Sequence, residues 1–185
     1  KTVKDFIDDA KKRPGQITYS SSGNYGSAHL SMEMFARAAG IKLQHVPYRG
    51  AGPAITGLIG GQVGATSTTV GTIISQIEAG KIRVLGAMSD KRIDNLPNVP
   101  TLKEAGIPLS LYVWAGMFVP KATPEPAVTR LRSAMRTVLT DPAVTAIYTK
   151  AGTKVAYLDA PDFAKVVAAD HTRLAKVVKD IGKLD

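Results

Sequence analysis

Ile17-Thr18-Tyr19-Ser20-Ser21-Ser22-Gly23-Asn24-Tyr25-Gly26-Ser27-Ala28-His29-Leu30 is the stretch from which the fold can be read. Its first four residues include β-branched and aromatic side chains and predict a short strand. The Ser- and Gly-rich run that follows predicts a loop. Gly26 or Ser27 then opens a helix to Ala39, with Leu30, Met34, Phe35 and Ala38 as its apolar stripe and Gly40 as a left-handed cap. Upstream, Thr2 caps a helix over residues 3–13 that Pro14-Gly15 stops. Downstream the rhythm repeats. Residues 42–46 predict a strand and 47–52 a loop, and Pro53 sits in the first turn of a helix ending near Ile59. Residues 63–67 predict a strand, 70–79 a helix closed by Gly80, and 83–88 another strand. Strand–helix alternation with short loops predicts an α/β fold, a parallel sheet with helices on its faces.

After residue 90 the pattern changes. Pro97, Pro100 and Pro108 mark a loop-rich stretch with a short helix near 102–105. Helices are predicted from Pro124, from Pro142 and from Asp159 or Pro161 to about Ile181, with strands only at 112–119 and 153–157. Amphipathic helices must bury their apolar stripes against something, and this tail supplies almost no sheet of its own. Either it wraps the first unit or it belongs to a second sheet whose other strands lie elsewhere. Trp114 reads as a core or hinge residue rather than a stacking platform, with core the favoured reading.

Composition narrows the function. Hydrophobic residues are 44% and charged residues 21% of the 185, typical of a soluble globular chain. The longest uncharged stretch, residues 50–77, is cut by seven glycines and a proline and does not read as a membrane span. The net charge is +9, but 12 Lys/Arg face 7 Asp/Glu in residues 1–100 and 12 face 8 in residues 101–185. Aromatics are only 6%. Nucleic-acid binders concentrate cations on one stripe and interleave aromatics for stacking, so nucleic acid is not an expected partner. With no cysteine there is no disulfide, thiolate metal site or thiol nucleophile. No leader is visible before Lys1-Thr2-Val3.

In an open parallel sheet ligands bind beyond the carboxyl ends of the strands. Three loops gather there: 20–27, 47–53 and 66–70. They offer hydroxyls (Ser20, Ser21, Ser22, Ser27, Thr66, Ser67, Thr68, Thr69), glycine-exposed amides (Gly23, Gly26, Gly50, Gly52) and Arg49, and they contain no Asp or Glu. A Ser/Gly turn feeding a helix start presents free N–H donors and the positive end of the helix dipole, which suits a carboxylate or phosphate. His29, in the first helical turn, can aim a ring N–H at the same anion, and Arg49 can fork to a carboxylate. His45 in a strand and His171 on the last helix read as structural or exposed. No histidines stand at metal-ligand spacing, and no cofactor is expected: dinucleotide, P-loop and nucleophile-elbow patterns are all absent.

The ordered set Lys12-Arg13-Pro14-Gly15, Tyr19-Ser20-Ser21-Ser22-Gly23 leading to His29-Leu30, and His45-Val46-Pro47-Tyr48-Arg49-Gly50 resembles one family along the whole chain. Gly60-Gly61-Gln62-Val63, Ala79-Gly80-Lys81-Ile82-Arg83, Leu96-Pro97-Asn98-Val99-Pro100-Thr101 and Trp114-Ala115-Gly116 continue it. The family is the substrate-binding receptors of the tripartite tricarboxylate transporters, also called Bug or TctC proteins. The resemblance implies a type II periplasmic-binding-protein (Venus flytrap) fold that closes on a small organic carboxylate and delivers it to integral-membrane permease subunits. By position, Ser21, Ser22, Gly23, Gly26, Ser27 and His29 fall in the carboxylate grip of one lobe, with Thr68 and Thr69 on its facing loop. It also implies that the family's N-terminal segment is missing. Residues 1–110 would then be the complete second lobe, and 111–185 a crossover strand with the C-terminal helical part of the first. Gly64 and Thr68 stand where many relatives carry aspartates, so a ligand without an amine is expected. The rival reading is an enzyme acting on a carboxylated or phosphorylated metabolite with His29 as acid–base.

Overall fold

The computed structural model describes residues 1–182; positions 183–185, the end of the expected 111–185 segment, lie outside the described residues. Two compact units result: Lys1–Val113 together with the chain from Ala175, and Trp114–Leu174.

The first unit opens with α1 (Val3–Lys12), started by a capping box. The Asp5 amide donates to Thr2 Oγ1 at 3.1 Å and the Thr2 amide to Asp5 Oδ2 at 2.9 Å. β1 (Thr18–Ser21), α2 (Ser27–Ala39), β2 (Gln44–Pro47), α3 (Ala51–Ile59), β3 (Ala65–Thr66) and α4 (Val70–Glu78) follow. The strands form one parallel sheet in the order β2-β1-β3, with Tyr19 opposite His45 on one side and Ala65 on the other. The connection to β2 and the connection back to β3 run in opposite directions across the sheet. Right-handed crossovers therefore place α2 and α3 on opposite faces. The strand period agrees: Tyr19 OH donates to Glu33 Oε1 on α2 at 2.7 Å, while Ser20 Oγ donates to the Ala54 carbonyl on α3 at 3.1 Å.

The core lies on the α2 face. Val3, Ala10, Ile17, Tyr19, Met32, Phe35, Ala36, Leu102, Ile107 and Leu109 pack together there, with Phe6 against Phe35. The buried stripe of α2 is Leu30, Met32, Phe35 and Ala36; Ala38 is exposed and Met34 only half-buried. The expected stripe is rotated because α1 and residues 102–109 pack on this helix as well as the sheet.

Three expected strands are absent. Around residues 83–88 the backbone bonds of Ala87 run to Pro100 and Leu102, giving a single parallel bridge to Thr101 rather than a fourth ladder beside β3. Residues 102–105 form turns instead of a helix. Residues 112–119 and 153–157 have no ladder partners among the described residues. The apolar run that reads as a strand leaves Tyr112, Val113, Met117 and Phe118 exposed.

The second unit holds α5 (Glu125–Thr140), α6 (Pro142–Lys150) and the first part of α7 (Ala160–Ile181). Asp141 caps α6 through the Ala143 amide at 2.7 Å. Arg132 forks onto Asp159 at 3.0 and 2.9 Å, and Arg136 joins them at 2.7 Å. Trp114 is not a core residue: it is 38% exposed, stands edge-on to Phe163 and donates its indole N–H to Asp170 at 2.7 Å. Among the described residues no helix is long and apolar enough to cross a membrane.

Candidate anion-binding site

Because the sheet is parallel, β1, β2 and β3 all end on one edge, and α2, α3 and α4 all begin there. Their N-caps are Gly26, Gly50 and Thr69, none of which makes a side-chain cap bond. None of the three helices has an acid in its first turn. The same chain caps α1 with Thr2 and Asp5, and α6 with Asp141. Helix starts left without caps or acids keep their positive partial charge available to an outside anion. Gly50, at φ 114, takes a backbone conformation that a side chain would strain.

The loops are tied to one another. Ser21 Oγ lies 2.9 Å from the Gly23 carbonyl oxygen and accepts the Gly23 amide at 3.2 Å. The Tyr48 amide donates to the Ser21 carbonyl at 2.9 Å, fastening the β2–α3 loop to the end of β1. Ser31 Oγ on α2 lies 2.8 Å from Ser67 Oγ after β3.

Of the residues expected at the site, Ser22, Ser27, Arg49 and Thr69 are exposed at the lip of this edge, and Gly23, Gly26 and Thr68 are half-buried. Thr69 Oγ1 lies 2.8 Å from Thr72 Oγ1. Ser21 and His29 are buried beneath the lip. His29 Nδ1 accepts the amide of Tyr25 at 3.0 Å, which places the proton of the neutral ring on Nε2.

Sequence reasoning missed what lies under the loops. Tyr19, His45 and His29 form a column of rings: His45 is 5.0 Å from Tyr19, and the two imidazoles stack at 3.9 Å with planes 7° apart. His45 Nε2 lies 2.6 Å from Ser21 Oγ, so the single hydroxyl proton has two acceptors in reach, the Gly23 carbonyl and the ring, and the direction of the Ser21–His45 bond follows the imidazole tautomer. Burial pushes the His45 imidazole down to about 4, helped by the neighbouring His29, and burial lowers His29 too, with Glu33 opposing. Tyr19 is held above the usual phenol range by burial and by its bond to Glu33. A period of two from Tyr19 puts Ser21 on the same face, and this signal could have found the pairing with His45. Among the described residues no group of three or more His, Asp or Glu is placed to hold a metal ion.

Gly57, on α3, is a close-approach site. A Cβ there would sit 2.4 Å from Tyr48 Oη and 2.7 Å from Cζ. Helix propensity alone would make Gly57→Ala stabilising by about 1 kcal/mol. We expect instead a loss of about 1–3 kcal/mol by denaturant unfolding, as the ring is driven off its bond to Gln62. A net gain would mean that the ring, and with it the 47–53 loop, swings freely.

Comparison with known proteins identifies the family and the fold. Residues 1–183 match the family described as the tripartite tricarboxylate transporter family receptor. A UPF0065 protein from the TAR-I ttuE-ttuC' intergenic region of Agrobacterium vitis is 34% identical over 99% of this chain and 54% of its own length. A solved structure described as a periplasmic transporter is 37% identical with a TM-score of 0.90, over 100% of this chain and 62% of that one. R. palustris Rpa4515, solved with adipate, is 31% identical with a TM-score of 0.89, over 96% of this chain and 60% of that one. The architecture is thus the α/β fold of the periplasmic binding proteins, present in part. The chain belongs to the tripartite tricarboxylate transporter receptor family, and one similar solved structure, from Polaromonas, is described as a TctC solute binding protein. It spans about half the length of the curated relatives it matches.

Proposed function

We propose that this chain is part of a periplasmic receptor that captures a small organic carboxylate for the permease of a tripartite tricarboxylate transporter. The observation that carries the reading is the convergence of three helix starts, without side-chain caps or first-turn acids, on one sheet edge. Main-chain amides of the 22–28 turn hold one carboxylate, and the hydroxyls of Ser22, Ser27, Thr68 and Thr69 complete its shell. Arg49 meets a second anionic group. Residues 1–110 serve as one ligand-binding lobe and 111–185 as the returning part of the other. The binding of adipate by Rpa4515 supports a di-, tri- or aromatic acid as ligand. With no Asp or Glu in the three loops, an ammonium group would go unpaired, so the ligand carries no amine.

Binding without chemistry is the better reading of the histidines. Ser21 and His45 have the spacing of a nucleophile and its base, but Ser21 is 1% exposed, which leaves its hydroxyl out of reach of a substrate. A His45 held near 4 is a weak base at neutral pH.

Thermal unfolding against di-, tri- and aromatic acids tests the proposal, on this chain and on the chain joined to the N-terminal region of Rpa4515. A ligand at 100 times its Kd adds about 2.7 kcal/mol, which for this size raises the midpoint by roughly 5–11 °C. A shift in either protein supports the reading. No shift in either with any of the acids overturns it, and aspartate or glutamate binding tightly without succinate-like acids overturns the amine-free specificity.

A further inference from the structure

His29, which shapes the 22–28 turn, is buried under it. Tyr25 sits at φ 57, the only non-glycine residue with positive φ among those described. That conformation is strained for a tyrosine and persists only where surrounding contacts impose it. Its amide donates to His29 Nδ1 at 3.0 Å, its ring tilts against the His29 ring at 5.9 Å, and its hydroxyl donates to the Gly182 carbonyl at 2.7 Å. Tyr25 precedes Gly26, the uncapped start of α2. The bond to His29 therefore sets the direction in which the first amides of α2 point.

We propose that His29 is a positioning residue: its unprotonated Nδ1 holds the Tyr25 amide and so holds the 22–28 turn in its carboxylate-binding shape, and protonation of His29 releases the turn and the ligand. This rests on the receptor reading above. On protonation Nδ1 turns from acceptor to donor and faces another donor, the Tyr25 N–H. The groups facing the ring decide whether that charge is tolerated. His45 from β2 stacks on one side, and Tyr19 from β1 stands at 6.3 Å. From α2 itself comes Glu33, already bound by Tyr19, and from the turn comes Tyr25. Glu33 alone among these carries opposite charge. Burial lowers His29 below the ordinary histidine value of 6.5, so the ring is neutral at pH 7.5 and takes its proton only in acid. A histidine whose folded value is depressed contributes full stability above about 6.5 and loses it as pH falls toward the folded value. Turn geometry and carboxylate affinity should fall over the same acid range.

The test has a ligand-free arm and an adipate arm. In ¹⁵N NMR of the full chain, His29 Nδ1 is expected unprotonated at pH 7.5, with a scalar coupling across the hydrogen bond to the Tyr25 amide. That coupling should vanish in step with the His29 titration. Adipate affinity, measured by calorimetry in whichever form binds it, should fall as pH is lowered below 7.5, in step with the His29 titration and by more than the protonation of adipate's own carboxyls accounts for. His29→Leu should weaken binding at both pH values. His29→Asn, whose amide oxygen can accept at the Nδ1 position without titrating, should restore at least tenfold over His29→Leu and remove all of the acid loss except that of adipate's own carboxyls. A proton on Nδ1 at pH 7.5, a coupling that survives acid, or an acid loss identical in His29→Asn overturns the inference. A coupling that behaves as expected, with no carboxylate bound at any pH, overturns the receptor reading and the positioning role with it, leaving only the amide-to-ring bond.

Discussion

Ser27→Asp is expected to weaken adipate binding by about a hundredfold or more while raising the midpoint of thermal unfolding. Ser27 is the first residue of α2, exposed at the lip, on a helix with no acid in its first turn. An aspartate there meets the positive end of the helix and adds about 0.3–1 kcal/mol, or roughly 1–4 °C. On the proposed reading the same charge would face a carboxylate held by the turn, at a separation taken as about 5 Å. At an effective dielectric constant of about 20 the repulsion is about 3 kcal/mol, more than a hundredfold in Kd. Ser27→Asn, of similar size without the charge, separates charge from bulk and should stay within about fivefold of the parent. Calorimetric titration and a melting curve on the same samples read both signs. Binding that persists in Ser27→Asp would place the carboxylate elsewhere, and a lowered melting point would mean that α2 is not left open to charge.

The largest loss of stability is expected from Phe35→Ala. Phe35 is 5% exposed, its ring centroid is 6.2 Å from that of Phe6, and it belongs to the cluster that joins α1, α2, β1 and residues 102–109. Removing a buried phenyl ring loses its transfer energy and leaves a cavity, about 3–5 kcal/mol in all. That is a large part of the 5–15 kcal/mol that holds typical domains folded. Phe118→Ala, at a residue 67% exposed, should cost far less, about 1 kcal/mol or below, from its ring contacts with Trp114 and Phe163. Urea unfolding of the two variants checks the contrast. A cost below about 1 kcal/mol for Phe35→Ala would show that this cluster does not hold the first unit together.

What could be read from the sequence was whatever local chemistry decides. Thr2 with Asp5, Gly26 before Ser27, and Gly40 in the left-handed conformation at φ 63 mark helix ends through bonds within a few residues. The alternation from residue 17 to residue 79 gave the parallel sheet, and the absence of acids from its three loops pointed to an anion. Strands depend on partners, and there local reading failed. Residues 112–119 have the side chains of a strand but no described neighbour to pair with, and Ala87 bonds to Pro100 and Leu102 instead of extending the sheet. The rotated stripe on α2 has a similar cause, since α1 and residues 102–109 come from far along the chain. At the site, the loop hydroxyls were legible, but the stacking of His29 on His45 required the register that sets Tyr19 beside His45.

The uncapped starts of α2, α3 and α4 bear on how such a receptor can diversify. Every residue except proline supplies a backbone N–H, so a grip made from helix ends survives replacement of almost any side chain around it. On the proposed reading, exposed lip positions outside the carboxylate's shell, such as Asn24 and Arg49, could drift to suit ligands of different length and shape while the carboxylate seat stays where the backbone puts it. A scaffold of this kind separates recognition of the acid group, which is inherited with the fold, from recognition of the rest of the molecule, which a few substitutions can rewrite.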